Sequence, residues 1–280
     1  MIKLRTRVRS ISNAAASKTA LIDLPCGPRY HSVHLDYTST TATTAATLAA
    51  EISEIRVKVN GRVQRTFSGA QLDLCINGAN GTAYNCQLIG TKECSLAIFF
   101  AEPWRKSPVD QDALAWPSAH WQSFQIEVDL GANYSDLQAF AVTDTLQPAS
   151  NTNPGITKII RQNFAAAGLV LDIATMDARD WLQQISLYDP TTGTIDQVTL
   201  KINNVIVHDL FADQNLGLLK QYGMTPAASA RYDLVLDHDD LLGSAVNCNG
   251  ANILLSIGAA GATAFVGSIV ALIQRFGPPE

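Results

Sequence analysis

Short runs of alternating apolar and polar residues recur along the chain, and few stretches hold a helical period. Residues 19–24, 31–37, 95–101, 121–130 and 137–143 read as half-buried strands in the first half, and 184–188 and 231–237 in the second. Residues 55–67 read as a hairpin around Asn60-Gly61. A three-residue loop, Asn60 to Arg62, would set Val59 against Val63 and Ile55 against Phe67, so that cross-strand partners share a face. The hairpin then runs into a helical signature. Ser68 and Gln71 have capping-box spacing, Leu72, Cys75 and Ile76 follow as the apolar side, and Gly78 ends it.

The same order of elements returns in the second half. "VKVNGRVQRTF" (57–67) has a counterpart in "LKINNVIVHDL" (200–210): Lys58 matches Lys201, Asn60 matches Asn203, and Gln71 matches Gln214, each 143 positions on in a chain of 280. In the same register Ile202 faces Ile206, Val198 faces Leu210, and His208 takes the place of Arg65. Asp213 is positioned to cap a helix with Leu216 and Leu219 inward and Gly223 as its stop. Hairpin, short helix and glycine stop at half-chain spacing indicate duplication of a unit of about 140 residues.

Turn formers in "LQPASNTNPG" (146–155) mark the boundary. The expected division is a basic N-terminal arm at 1–16, a domain at 17–147, a linker at 148–156 and a second domain at 157–280. Residues 102–120, rich in Pro and Trp, read as a long ordered loop. Residues 253–273 carry no charge and are long enough to span a bilayer, but "GAAGAT" splits them into two short runs. Nothing else in the chain has a membrane-embedded pattern, so two buried strands are expected. The first ten residues contain no apolar signal region.

Charge narrows the function. Charged residues make up 16% of the chain and net charge is −5, so global basicity gives no argument for nucleic acid as a partner. Five cysteines without a CxxC pair fit reduced, mostly buried thiols and not a zinc site or disulfide framework. No nucleophile elbow, phosphate loop, HExxH or dinucleotide fingerprint is present, and the reading is of a protein that is not an enzyme. His31 and His34 fall on opposite sides of a strand and read as structural histidines. Asp237, Asp239 and Asp240, at the end of a strand, are the candidate ligands for a hard cation. Lys3, Arg5, Arg7 and Arg9 alternate with other residues, so in an extended arm all four lie on one side.

Two tandem β-rich domains, each with a short helix, behind a basic arm and without catalytic signatures resemble a double jelly-roll viral capsid protein. "EIRVKVNGRVQRTFSGAQLD" (54–73) resembles the N-terminal domain of the corticovirus-type major coat protein, from icosahedral bacteriophages with an internal membrane. The resemblance covers residues 20–145, and the second half follows through the repeat. It implies an all-β fold of two tandem eight-stranded jelly rolls and a homotrimeric, pseudo-hexagonal capsomer in the virion shell of such a phage or a related prophage. It also implies assembly in the host cytoplasm, and as partners neighbouring capsomers, penton or spike and minor membrane proteins. The inner membrane would be met by the Lys3, Arg5, Arg7 and Arg9 arm, with calcium as the associated ion and no specific nucleic acid. The alternative is a tandem β-sandwich carbohydrate-binding protein, which would use Trp104, Trp116 and Trp121 as exposed aromatic surfaces.

Overall fold

The computed structural model describes residues 2–145, 155–176, 179–189, 195–225, 231–239, 241–261 and 263–279. The chain divides into two units: Met1–Gly78, Thr82–Ile159 and Gly277–Glu280 form the first, Ala79–Gly81 and Ile160–Phe276 the second. Of the expected linker 148–156, all but the last two residues lie outside the described residues.

The first unit runs β1 (Leu4–Val8), β2 (Ile11–Ser12), β3 (Thr19–Leu24), β4 (Arg29–Ser39), α1 (Ala45–Ala50), β5 (Glu54–Val59), β6 (Arg62–Phe67) and α2 (Gly69–Gln71). It continues with β7 (Gln87–Gly90), β8 (Glu93–Phe99), α3 (Pro108–Ala113), β9 (Trp116–Pro117), β10 (Phe124–Asp129) and β11 (Tyr134–Asp144). One sheet has the order β1-β11-β4-β8-β7, with β9 beside β4; the other has β6-β5-β10-β3-β2. Alternation does what period two requires. Ile55, Val57 and Val59 on β5, Ile126 and Val128 on β10, and Val33, Leu35 and Tyr37 on β4 are fully buried. Each such side chain contributes about 1.5–3 kcal/mol of burial.

Three expectations change here. Residues 4–8 are not an unpaired arm: β1 pairs antiparallel with β11, from Leu4↔Thr143 to Val8↔Ala139. Val8 is buried and supplies the inward anchor that the alternating cations conceal in sequence. The segment 102–120 is not all loop, since it folds α3 and then β9, which pairs with Arg29 and Tyr30. The hairpin register also differs. Val59 pairs with Arg62 and Lys58 with Val63 across a two-residue turn, and Gln64 is then an extra residue that restores Val57↔Arg65 and Ile55↔Phe67. Asn60 and Gly61 have φ of 51° and 78°, the left-handed pair that a tight hairpin turn requires.

The second unit runs β12 (Ile156–Gly168, which starts in the first unit), β13 (Val170–Ile173), β14 (Trp181–Tyr188), β15 (Ile195–Ile202), β16 (Val205–Phe211) and α4 (Ala212–Gln221). After these come β17 (Arg231–Val235), β18 (Val246–Asn247), β19 (Ile253–Ala259) and β20 (Phe265–Gly277). Its sheets are β12-β20-β14-β17, with β18 beside β14, and β13-β19-β15-β16. Leu182, Ile185 and Leu187 from one sheet meet Val198, Leu200, Leu255 and Ile257 from the other in a single core. The uncharged stretch 253–273 is two strands in different sheets, and no described helix is long and apolar enough to cross a membrane.

The hairpin of this unit repeats the first in detail. Ile202↔Val205 and Lys201↔Ile206 flank a turn at Asn203-Asn204, and Val207 is the extra residue before Leu200↔His208 and Val198↔Leu210. The bulges at Gln64 and Val207 are 143 positions apart, as are the turns. Asn60 N–H donates to Ser123 O and its Oδ1 accepts from Gln122 N and Ser123 N; Asn203 N–H donates to Asn252 O and its Oδ1 accepts from Asn252 N. Each asparagine thus ties its hairpin tip to the residue just before the neighbouring strand, β10 or β19. The helices follow suit. Ser68 N–H donates to Gln71 Oε1 at 2.9 Å, and Phe211 N–H to Gln214 Oε1 at 3.1 Å. α4 therefore begins two residues earlier than an Asp213 cap would place it. Leu219 is buried, Leu216 half-buried, and Gly223 follows with φ of 84°.

Candidate functional site

The basic residues lie along the outer edge of the first sheet. In the β1 register Arg5 and Arg7 lie opposite Val142 and Phe140, whereas Thr6 and Val8 lie opposite the buried Ala141 and Ala139. Lys3, Arg5, Arg7 and Arg9 are all exposed. Arg7 and Arg9 line two grooves of about 360 and 320 Å³, the first shared with Asp136, Leu137 and Gln138 and the second with Asp23, Ala141 and Thr143. Lys3 Nζ donates to Asp112 Oδ1 at 2.9 Å. Arg5 and Arg7 are thus presented by a strand held in place by its backbone, and Arg9 follows just after its end.

Beneath that edge is a buried charge cluster that sequence reasoning missed. Arg29 donates to Asp144 twice, Nε to Oδ1 at 3.2 Å and Nη2 to Oδ2 at 2.8 Å, and His31 Nε2 lies 2.5 Å from Asp144 Oδ2. His31 Nδ1 lies 3.0 Å from Asp112 Oδ1, near enough for charge attraction but without hydrogen-bond alignment. The Asp144 side chain is fully buried and those of Arg29 and His31 nearly so. The cluster joins β4, β11 and α3, and Lys3 fastens the start of the chain to it. Its members are scattered from position 3 to 144, so no local motif marks them. His31 is the structural histidine that the sequence indicated; His34, on the opposite face, stacks on Phe140 with ring centroids 4.4 Å apart.

Arg65, in the register place shared with His208, is buried over the rings of Phe100 and Trp116, 5.1 and 4.8 Å from their centroids. It donates from Nε to Thr157 O at 2.7 Å and from Nη1 to Phe99 O at 2.5 Å. Burial draws its pKa down to about 9 while the Glu102 charge opposes the fall, so it remains a cation at neutral pH. Trp116 is fully buried in this cluster, and Trp104 and Trp121 are half-buried and packed edge-on against other rings. The three tryptophans therefore do not form the exposed platform that carbohydrate binding would use.

The acidic group stands at the end of β17. Asp237 is buried and its Oδ2 accepts from Gln183 Nε2 at 3.3 Å. Asp239 accepts from Leu241 N–H at 3.2 Å and from the Ser244 hydroxyl at 2.6 Å. Burial works to raise the Asp239 pKa, but those two donors hold it below the ordinary carboxylate value. Asp240 lies outside the described residues. Among the described residues, no group of three His, Cys, Asp or Glu side chains gathers to hold a metal ion. Asp237 and Asp239 bring two carboxylates toward the six to eight oxygens that a calcium ion takes. Of the cysteines, only Cys26 is exposed; Cys75, Cys86, Cys94 and Cys248 are buried and in no disulfide.

The family described as the viral coat protein P2 N-terminal domain matches residues 5–145. No curated protein matches the chain by sequence. The major capsid protein P2 from bacteriophage PM2 superposes with a TM-score of 0.78 at 19% identity, over 99% of this chain and 98% of that one. The Sulfolobus turreted icosahedral virus structure follows with a TM-score of 0.70 at 10% identity, over 99% and 91%. The PBCV-1 virus capsid gives 0.65 at 9% identity, over 98% and 93%. At these identities the likeness is one of fold, the double jelly roll.

Proposed function

Because this chain belongs to the family of the viral coat protein P2 N-terminal domain, we propose that three copies associate into a pseudo-hexagonal capsomer of an icosahedral bacteriophage shell with an internal membrane. The chain is a major capsid protein and its place is the virion shell. The observation that carries the trimer is the duplication, down to the bulge at Gln64 and Val207 and the asparagine at 60 and 203. A threefold ring of a duplicated unit presents six similar lobes, and a six-lobed tile packs a flat shell face where a three-lobed one leaves gaps. The role is structural and involves no catalysis.

Neighbouring capsomers, penton or spike proteins and minor membrane proteins are the partners that this reading implies. The exposed cations of β1 support an inward orientation toward anionic lipid, since each Lys or Arg near such a surface contributes about 1 kcal/mol. Calcium at Asp237, Asp239 and Asp240 is also part of the proposal. Its support is three carboxylates within four residues, and the donors already held by Asp237 and Asp239 weigh against it. The whole reading is tested by native mass at micromolar concentration. Three chains of 30.1 kDa each are expected, and a folded monomer would overturn the capsomer.

A further inference from the structure

The two copies of the repeat differ at one edge. In the first unit, the outer hairpin strand β6 is covered: Gln64 and Arg65 are each 2% exposed. The opening residues of β12 lie along it, with Ile159 as the parallel partner of Arg65 and Thr157 O accepting from the Arg65 guanidinium. In the second unit the equivalent strand is β16, 143 positions on. It ends its sheet, and among the described residues no strand pairs with its outer side. Val205 is 65% exposed, Ile206 56%, Val207 40% and Phe211 47%. Their counterparts Arg62 and Val63 are exposed as well, so the contrast between the copies is at Val207, where the first unit has the buried Gln64.

A bare apolar edge strand invites another chain, and soluble proteins guard such edges with lysine, proline, a bulge or a cover. Residues 205–207 contain no lysine, proline or charge. The bulge at Val207 is not a guard particular to this edge, because the covered copy carries the same bulge at Gln64. One repeat thus has its cover built into the chain, and among the described residues the other has no strand on the equivalent edge.

We propose that β16 is the contact surface for a second copy of this chain, which covers it as the start of β12 covers β6. The inference rests on the trimer reading and deepens it by naming the face. Every chain brings one β16 edge. A head-to-tail ring uses each edge once and closes. Edge-to-edge pairing of two β16 strands would instead give a twofold dimer.

The test is native mass of wild type, of the double variant Val205→Lys with Ile206→Glu, and of Val109→Lys as a control. Val109 is 77% exposed on α3 in the first unit. The expected result is a trimer for wild type and control, and a threefold fall in mass for the folded double variant. A double variant that remains trimeric overturns the β16 assignment and leaves the trimer reading intact. A monomeric wild type overturns the trimer reading, and the assignment with it. A dimeric wild type that the double variant dissolves replaces the ring with the twofold pairing. Should the double variant fail to fold, hydrogen exchange on the wild-type trimer decides. Slow exchange of the outward amides of β16 is expected, and exchange at the rate of an open edge overturns the proposal.

Discussion

Replacing Asp144 by alanine removes the centre of the buried charge cluster. Asp144 accepts two hydrogen bonds from Arg29 and lies 2.5 Å from His31 Nε2, and side-chain exposures are 0% for Asp144, 7% for Arg29 and 5% for His31. The variant removes the carboxylate that Arg29 meets out of reach of bulk water, and leaves His31 with Asp112 alone. Removing one partner of a buried pair costs about 3–5 kcal/mol. For a unit of this size each kcal/mol moves Tm by about 2–4 °C, so a fall of about 6–20 °C is expected. The comparison is Arg56→Ala. Arg56 meets Glu54 at 2.5 Å, Glu127 at 2.8 Å and Asp129 at 2.9 Å, but these side chains are 20–29% exposed. Solvent screening holds an exposed network to about 1 kcal/mol. Urea titration of both variants measures the two losses. If Asp144→Ala costs no more than Arg56→Ala, burial does not set the strength of these contacts and the reasoning is wrong.

Acid should destabilise the fold before carboxylates titrate. Burial, with the His238 charge adding to it, lowers the His208 pKa to about 4, and burial also lowers that of His34. The unfolded chain then binds more protons between pH 6.5 and 4, so their contribution is complete above pH 6.5 and is lost as pH falls toward 4. Tm should drop across that window, less so in His208→Gln, and an equal slope in the variant would contradict the assignment. Gly61→Val should cost about 1–2 kcal/mol, because φ of 78° is strained for a β-branched residue, and an unchanged urea midpoint would count against the turn. Changing Lys3, Arg5, Arg7 and Arg9 to glutamine should leave the trimer intact but reduce flotation with anionic vesicles at low salt. Equal flotation removes the membrane-facing role. Chelator should lower the melting temperature if calcium binds at Asp237, Asp239 and Asp240, and Asp237→Asn should abolish that response; an unchanged wild type dismisses the ion.

Local pattern made the strands and the repeat legible. Residues 19–24 coincide with β3, and the Ser68–Gln71 box forms the capping pair that its spacing indicates. The hairpin register is ambiguous in sequence because a turn of two residues followed by a bulge gives Ile55↔Phe67 just as a three-residue loop does. Only the pairings nearest the tip distinguish them. Strand β12 went unread because its Lys158, Arg161, Gln162 and Asn163 break the alternation expected of a half-buried strand. Helix α1 went unread because its residues 45–50 are mostly alanine in a threonine-rich stretch; its signal was the reciprocal capping of Thr44 and Thr47. The Arg29–His31–Asp112–Asp144 cluster had no sequence signal, since its charges meet only when β4, β11 and α3 pack together.

The duplicated chain is expected to close into a threefold tile. Negative-stain averages of the purified protein test it most directly. A hexagonal outline with six similar lobes and threefold symmetry is predicted. Particles with two lobes, or with twofold symmetry, would contradict it.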